Sequence, residues 1–229
     1  MQSRFLAVIP AYNEAASIEE LVVRASRYAD VCVVDDASTD GTAEIVEATG
    51  RAHCIRHASN THIAGGILDG LRFAVAEDYS FCITMDAGGS HDPEFIPRFQ
   101  EHTDADLVIG YREEAVNVPS YRRGLSRGAR ALMNLALVPR FVPWGGAGLR
   151  DVTSGYRMYA RSAVRLLVDA RMKSRTFDFH LESLAYVYRA GMSIKEIPIR
   201  YQFTNSSLRP AIVWDALRTC GRIWISDLE

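Results

Sequence analysis

The chain reads as an α/β protein with a predominantly parallel central sheet and flanking helices, and three features predict this. Short apolar runs alternate with amphipathic helical patterns through the first half. Two of those runs, VCVV at 31–34 and FCITM at 81–85, end directly in acids, Asp35-Asp36 and Asp86. A third acidic pair, Asp178 and Glu182, lies at a predicted helix start. Parallel strands bring the first two clusters to one edge of the sheet, where open α/β sheets bind ligands. Unpaired carboxylates would repel one another in a dry core, so their collection there points to a polar or metal-phosphate ligand. A nucleotide-dependent enzyme is the leading expectation.

The elements follow in order. FLAVI at 5–9 is a buried strand, and Pro10 is expected to help end it. Asn13 is a candidate cap for a helix carrying Ile18, Leu21, Val22 and Ala25 on one face. The second strand covers 31–34, a polar turn runs from Asp35 to Gly41, and Thr42 starts a short helix with Ile45 and Val46. Residues 53–56 supply a third strand. Gly65, Gly66 and Gly70 accompany the next helix, which implies close approach by a ligand or by another backbone element. Strands are expected at 79–84 and 106–109, separated by a helix that begins near Pro93.

The second half changes character. Residues 110–123 are polar and contain arginines, and a helical run follows at 128–137. PRFVPWGGAG at 139–148 is a loop by its prolines and glycines, with Phe141, Val142 and Trp144 as apolar groups available to a partner. A short strand at 153–160 and helices at 163–170 and 180–190 lead to a strand at 194–199, which Pro198 assigns to an edge. In the final segment Ile212, Val213, Leu217, Cys220 and Trp224 recur at roughly helical spacing. That pattern fits a helix packed on the domain, a membrane-interface helix or a dimer surface.

The 229 residues, 48% hydrophobic and 24% charged, suffice for one sizeable core and exclude a disordered chain. A net charge of -2 gives no basis for nucleic-acid binding. Cys32, Cys54, Cys82 and Cys220 are too widely spaced for a zinc motif or a disulfide framework and read as reduced thiols. The N-terminus runs almost at once into a strand-like segment, unlike a signal peptide, and no stretch approaches the roughly 18 apolar residues of a membrane span. The expected location is cytoplasmic, with peripheral contact at the cytoplasmic membrane face left open.

An ordered set of motifs carries a resemblance: VIPAYNEAASI at 8–18, DDASTDGT at 35–42, MDAGGSHDPE at 85–94, YRRGLS at 121–126, DVTSGYRMY at 151–159, FDFHLE at 177–182 and IKEIPI at 194–199. In this order they resemble the family 2 inverting glycosyltransferases, particularly the polyprenyl-phosphate sugar synthases. The resemblance implies the GT-A nucleotide-sugar-binding fold over a catalytic domain at 1–205, with an amphipathic segment at 206–229. It implies a nucleotide diphosphosugar as donor and Mg²⁺ or Mn²⁺ as cofactor. Pro10, Tyr12, Glu14 and Asp36 match nucleoside-binding positions, while Asp35 could equally cap its turn. Tyr12 can pack on a flat base, and the carboxylates can accept hydrogen bonds from ribose or base.

Asp86 matches the first acid of the family's metal-binding Asp-x-Asp. Gly88 stands where the second acid is usual, and Ser90 is left as a further metal ligand with His91, Asp92, water or donor phosphates. Arg112, Arg122, Arg123 and Ser126 match the region that binds a lipid phosphate, and Ser207 and Arg209 resemble a closing loop that contacts the same phosphate. Asp86, Asp178, Arg112 and Arg123 are thus the expected catalytic set. Asp178 would be the base for a hydroxyl acceptor, since an alcohol must lose a proton during attack. Arg157 fits either structural pairing or substrate contact. The implied reaction is inverting transfer to a polyprenyl phosphate; the alternatives are transfer to a soluble hydroxyl-bearing acceptor and an inactive nucleotide-sugar-binding scaffold. The partners implied are a nucleotide sugar, a lipid phosphate, a membrane surface and, compatibly, a second copy of the chain. A nicotinamide dehydrogenase is disfavoured because the first strand leads into PAYNE rather than a glycine-rich loop.

Overall fold

Strand β1 (Phe5–Ala11) is followed by α1 (Ile18–Ala25), β2 (Asp30–Asp35), α2 (Thr42–Ala48), β3 (Ala52–Arg56), α3 (His62–Ala76) and β4 (Phe81–Thr84). After a 3-10 turn at Pro93–Phe95 come α4 (Ile96–Gln100), β5 (Leu107–Val116), α5 (Ser120–Leu137), β6 (Arg157–Ala160), α6 (Arg161–Asp169), α7 (Phe179–Arg189), β7 (Ile194–Gln202) and α8 (Pro210–Ile225). These elements belong to a computed structural model that describes residues 4–116, 120–137, 147–202 and 210–225. The strands form one seven-stranded sheet in the order β3-β2-β1-β4-β6-β5-β7. Every pairing is parallel except those of β6, which runs antiparallel to both β4 and β5.

Alternation along the strands builds two cores. Leu6, Val8, Cys32, Val34 and Cys82 face α3, α5, α6, α7 and α8, where Ile67, Leu71, Met133, Val164, Leu184 and Ile223 complete the layer. Ala7, Ile9, Val31, Val33 and Ile83 face the opposite side and pack with Ile18 and Val22 of α1 and with Ile96 and Phe99 of α4. The central strands are therefore buried on both faces, which is why they read as continuous apolar runs.

Several expected boundaries move, each for a local reason. β1 continues through Pro10 to Ala11, because Pro10 lies beyond the last β1–β4 pair, Val8 with Thr84, and needs no amide hydrogen there. Ser17, not Asn13, sits at the N-cap of α1. Helix α5 starts at Ser120, eight residues before the predicted run, and β5 extends to Val116 along β7 with an irregularity between Arg112 and Glu114. Gly66 and Gly70 of α3 let the helix pack closely on side chains of β1. A Cβ at Gly70 would lie 2.2 Å from Val8 Cγ1, and one at Gly66 would lie 3.0 Å from Pro10 Cβ. This brings the start of α3 against the ends of β1 and β2. The edge position of β7, expected from Pro198, is observed.

Helix α8 packs on α5 and α7 with Thr219, Cys220 and Ile223 buried. Trp214, Leu217, Trp224 and Ile225 remain exposed, as do Leu132 and Leu135 of α5. Among the described residues no helix is long and apolar enough to cross a membrane.

Candidate active site

The loops after β1 and β2 form one unit. Asn13 donates its amide to Ser38 Oγ and accepts from the Thr39 amide, both at 2.9 Å. The Glu14 amide reaches Thr42 Oγ1 at 2.9 Å, and the Ala15 amide reaches Asp40 Oδ2 at 3.0 Å. Asn13 and Ala37 adopt positive φ, 56° and 63°, to make this junction. Tyr12 projects from the end of β1 and is 51% exposed, so its ring is available to a ligand.

The two acids after β2 divide their work differently from the expectation. Asp36, expected to contact the nucleoside, is buried and held by α3. Its Oδ1 accepts from the Thr61 amide at 2.7 Å, Thr61 Oγ1 at 2.8 Å and His57 Nδ1 at 2.8 Å. Three partners on one oxygen make Asp36 a brace between β2 and α3. Asp35 does cap its turn, with Oδ2 accepting from the Ser38 amide at 3.2 Å, while its buried Oδ1 has no hydrogen-bond partner among the described residues.

At the end of β4, the Asp86 side chain keeps 31% exposure. Its amide donates to His91 Nδ1 at 3.0 Å. His91 is buried against Tyr156, with ring centroids 4.9 Å apart, and burial pushes its pKa down. The imidazole is therefore neutral, with Nδ1 accepting and the proton on Nε2, and it fixes the backbone that carries Asp86. Glu14 approaches the same loop. The Ser17 hydroxyl links Glu14 Oε2 to the Ala87 carbonyl, 3.1 Å from each. Burial raises the Glu14 pKa; the Ser17 hydrogen bond opposes this and the charge of Asp86 adds to it. Ser90, expected as a metal ligand, uses its carbonyl to accept from the Gln202 amide at 3.3 Å.

Among the described residues no group of three or more His, Cys, Asp and Glu side chains could hold a metal. Mg²⁺ and Mn²⁺ need less, since such ions take one or two carboxylates and draw other ligands from substrate phosphate and water. A half-exposed Asp86 facing a desolvated Glu14 fits that requirement, because a cation relieves the repulsion between them.

The second half of the site is a turn clamped by arginines. Arg112, expected to hold an acceptor phosphate, instead forms a fork with Asp151, with Nε 2.6 Å from Oδ2 and Nη2 2.8 Å from Oδ1. Burial opposes the Arg112 charge, but Asp151 more than offsets it and holds the guanidinium above its usual pKa. Asp151 in turn accepts from the amides of Thr153 and Ser154, both at 3.1 Å. Arg157 is fully buried and donates to the carbonyls of Ser154, Val152 and His180 at 2.8, 2.9 and 2.8 Å, so its role is structural. The turn delivers Gly155 beside Asp86. A Cβ there would lie 2.9 Å from His180 Nε2 and 3.3 Å from Asp86 Oδ1.

Asp178, the expected base, has a different job. Its Oδ1 accepts from Thr176 and its Oδ2 accepts from Thr219 Oγ1 at 2.9 Å, which ties α7 to α8. Glu182 is buried and accepts from the amides of Lys173 and Ser174. The side chains of Arg122, Arg123 and Ser126, together with Ser207, Arg209, Phe141, Val142 and Trp144, lie outside the described residues. The sequence reading overlooked Asp151, Thr61, Gly155 and His180. The only signal for the first and third was the run of turn-forming residues in DVTSG.

The glycosyl transferase family 2 model matches residues 6–167. The undecaprenyl-phosphate mannosyltransferase of Micrococcus luteus is 32% identical over 93% of this chain and 91% of its own length. The polyprenol monophosphomannose synthase of Mycolicibacterium smegmatis is 30% identical over 86% of this chain and 77% of its own. Among solved structures, glucosyl-3-phosphoglycerate synthase from Mycobacterium tuberculosis, in complex with Mn²⁺, UDP-glucose and phosphoglyceric acid, superposes with a TM-score of 0.70. It is 17% identical and covers 96% of this chain and 80% of its own, a likeness that shows the fold alone. The narrower expectation, a polyprenyl-phosphate subgroup, is corrected by this match. That solved structure holds a soluble acceptor, and Arg112, one of the four arginines expected at a lipid phosphate, is forked onto Asp151. What the motifs, the α/β sheet and these relatives share is the family, and the chain belongs to glycosyl transferase family 2.

Proposed function

We propose that this chain transfers a sugar, with inversion, from a nucleotide diphosphosugar to a hydroxyl of a soluble, anionic acceptor. The observation that carries the donor half is the juxtaposition of Asp86 and Glu14 at the ends of β4 and β1, beside an exposed Tyr12. Tyr12 offers a face to the base. The loop joined by Asn13, Ser38, Thr39 and Thr42 fixes the walls around the nucleoside. A bound Mg²⁺ or Mn²⁺ would neutralise the diphosphate as it leaves. Asp86 would hold that ion, and His91 keeps the Asp86 backbone in place. Since Mn²⁺ and UDP-glucose occupy the solved relative, UDP-sugars and Mn²⁺ are the first combination to test.

The acceptor reading draws on the phosphoglyceric acid complexes of that relative and on Arg112 being committed to Asp151. Inversion requires the acceptor oxygen opposite the departing diphosphate, and alignment supplies much of the rate. The turn at Asp151–Gly155, clamped by two arginines, is rigid enough to define one wall of that approach. The test is mass spectrometry of products from UDP- and GDP-sugars with phosphoglycerate, other soluble hydroxy acids and a polyprenyl phosphate. A soluble glycoside is expected. A lipid-linked sugar as the sole product would overturn this acceptor assignment, and nucleotide binding without any transfer would favour the scaffold reading.

Peripheral attachment to a membrane surface is proposed separately, on the exposed Trp214, Leu217, Trp224 and Ile225 of α8 and Leu132 and Leu135 of α5. Liposome flotation checks it, and replacement of both tryptophans by serine should abolish flotation.

A further inference from the structure

Gly88 lies two residues beyond Asp86, at the position where an Asp-x-Asp pair has its second acid. The space beside it is filled from elsewhere in the chain. A Cβ built on Gly88 would meet Glu14 Oε1 at 3.4 Å, Oε2 at 3.7 Å and Cδ at 3.9 Å, the three nearest atoms among the described residues. The carboxylate of Glu14 therefore rests against the side of Gly88 from which the missing acid would project. Its position is fixed twice over. Thr42 Oγ1 accepts from the Glu14 amide at 2.9 Å, and Ser17 Oγ bridges Glu14 Oε2 to the Ala87 carbonyl.

We propose that Glu14 supplies the second carboxylate of the metal site, in place of the acid absent at Gly88, so that Asp86 and Glu14 together hold the cation of the donor diphosphate. This rests on the reading of Asp86 as a metal ligand. Three physical points support it. Without a cation, two part-buried carboxylates gathered on one short loop, Asp86 itself and the Glu14 carboxylate against Gly88, are unfavourable. No Lys or Arg among the described residues forms an ion pair with either acid; Arg112 feels the charge of Asp86 but is forked onto Asp151. On the far side of Asp86, His180 is buried with both ring nitrogens unpartnered among the described residues, and its Nε2 and Asp86 Oδ1 both lie near the side of Gly155 where a Cβ would project. A neutral imidazole there is placed to orient a metal-bound carboxylate, as outer partners of metal ligands do. Glycine at 155 keeps that approach open, since a Cβ would sit 2.9 Å from the imidazole nitrogen.

The arrangement distinguishes a metal ligand from a nucleoside contact. A residue that only contacts ribose should affect UDP binding whether or not metal is present. A metal ligand should affect it only with metal.

The experiment measures free Mn²⁺ by its EPR signal while wild type, Asp86→Asn, Glu14→Gln, and Glu14→Gln combined with Gly88→Asp are titrated in the presence of UDP. UDP affinity without metal is measured in parallel by calorimetry. Glu14→Gln is expected to weaken Mn²⁺ binding by at least about tenfold, the lower end of the loss seen even for outer-shell partners. It should leave metal-free UDP affinity unchanged. Adding Gly88→Asp should restore most of the lost Mn²⁺ affinity by returning a carboxylate to the same space. Wild-type Mn²⁺ affinity in Glu14→Gln would overturn the proposal, as would equal weakening of UDP with and without metal. Failure of Gly88→Asp to restore binding, in a double variant with wild-type thermal unfolding, would overturn it as well. Asp86→Asn separates the two readings. If it abolishes Mn²⁺ binding while Glu14→Gln does not, Asp86 stands and only Glu14 falls. If neither variant matters, or if wild type shows no UDP-dependent Mn²⁺ binding, both fall.

Discussion

At the carboxyl ends of β1 and β4, Glu14 and Asp86 face each other without a lysine or arginine partner among the described residues. Around the turn at Asp151–Gly155 and the start of α7, by contrast, the buried charges are enclosed. Arg112 is forked onto Asp151, Arg157 is ringed by carbonyls, Glu182 takes two amides and Asp178 takes two threonines. The difference teaches how to read charge in this fold. A carboxylate left without a partner at a strand end is directed at a ligand, because leaving it so has a cost that only a ligand removes. A charge with its full set of partners is part of the framework, even when it lies within a motif associated with substrate.

The largest expected effect tests the framework side. Replacing Arg157 with Met removes the donors to Ser154, Val152 and His180; the His180 carbonyl keeps Ser183 Oγ, and the other two lose the donor described for them. At about 1–3 kcal/mol for each unsatisfied buried group, a loss of about 2–6 kcal/mol is expected. Urea denaturation measures it. A change under about 1 kcal/mol would show that the turn does not depend on this residue, and the contrast between the two halves would break.

The next effect belongs to the ligand side. Asp86→Ala should reduce transfer by about 100-fold, or about 2.7 kcal/mol in the barrier, while leaving thermal unfolding unchanged. Among the described residues the side chain makes no hydrogen bond; its Oδ2 lies 3.7 Å from His91 Nδ1, which its backbone amide also contacts. Unaltered transfer, or a large loss of stability, would place Asp86 with the framework instead.

Asp151→Asn sharpens the comparison because its effect depends on pH. In the folded chain, burial disfavours the Asp151 anion, but Arg112 and the turn amides favour it more strongly and hold its pKa below the ordinary value. In the unfolded chain the group titrates near about 3.9. The unfolded state thus binds the proton first as pH falls. The stabilisation is complete above the unfolded value and is lost as pH drops through the folded one. At neutral pH the variant should lose about 2 kcal/mol, in the range for a hydrogen bond to a charged group. Thermal melts below about pH 4 should show the gap between wild type and variant closing. A gap that is constant with pH would mean that Arg112 does not depend on the Asp151 charge.

Much of the fold was legible because the central strands obey simple rules. A parallel sheet covered on both faces needs continuous apolar runs, and residues 5–9, 31–34 and 81–84 are such runs. The departures have equally local causes. Pro10 was read as a stop, but its missing amide falls where β4 has already ended. Helix α5 was placed too late because Ser120 to Ser126 is polar and arginine-rich, a composition that does not separate an exposed helix from a loop. In the site, the placement of Asp86 and Tyr12 at strand ends was legible, since the apolar run before each marks where its strand stops. Asp36 and Asp35 could not be told apart, because adjacent residues on one turn point to opposite sides and only the placement of Thr61 decides which is occupied. The partners of Arg112 and Asp178 were not legible for the same reason: Asp151 and Thr219 are distant in the chain. No spacing rule reports a partner 39 or 41 residues away.

The smallest effect concerns Tyr12. Tyr12 is 51% exposed, so its removal should cost the fold little. If its ring stacks on the donor base, Tyr12→Ala should raise the donor KM about fivefold, equivalent to about 1 kcal/mol, with kcat nearly unchanged. The split matters more than the size. Stacking on the base is made equally in the ground state and the transition state, so it belongs to KM. A fall in kcat instead would mean that Tyr12 orders the loop carrying Glu14, two residues on, and acts through the metal site. Tyr12→Phe separates the two cases, because it keeps the flat face and should restore wild-type KM if stacking is the whole contribution.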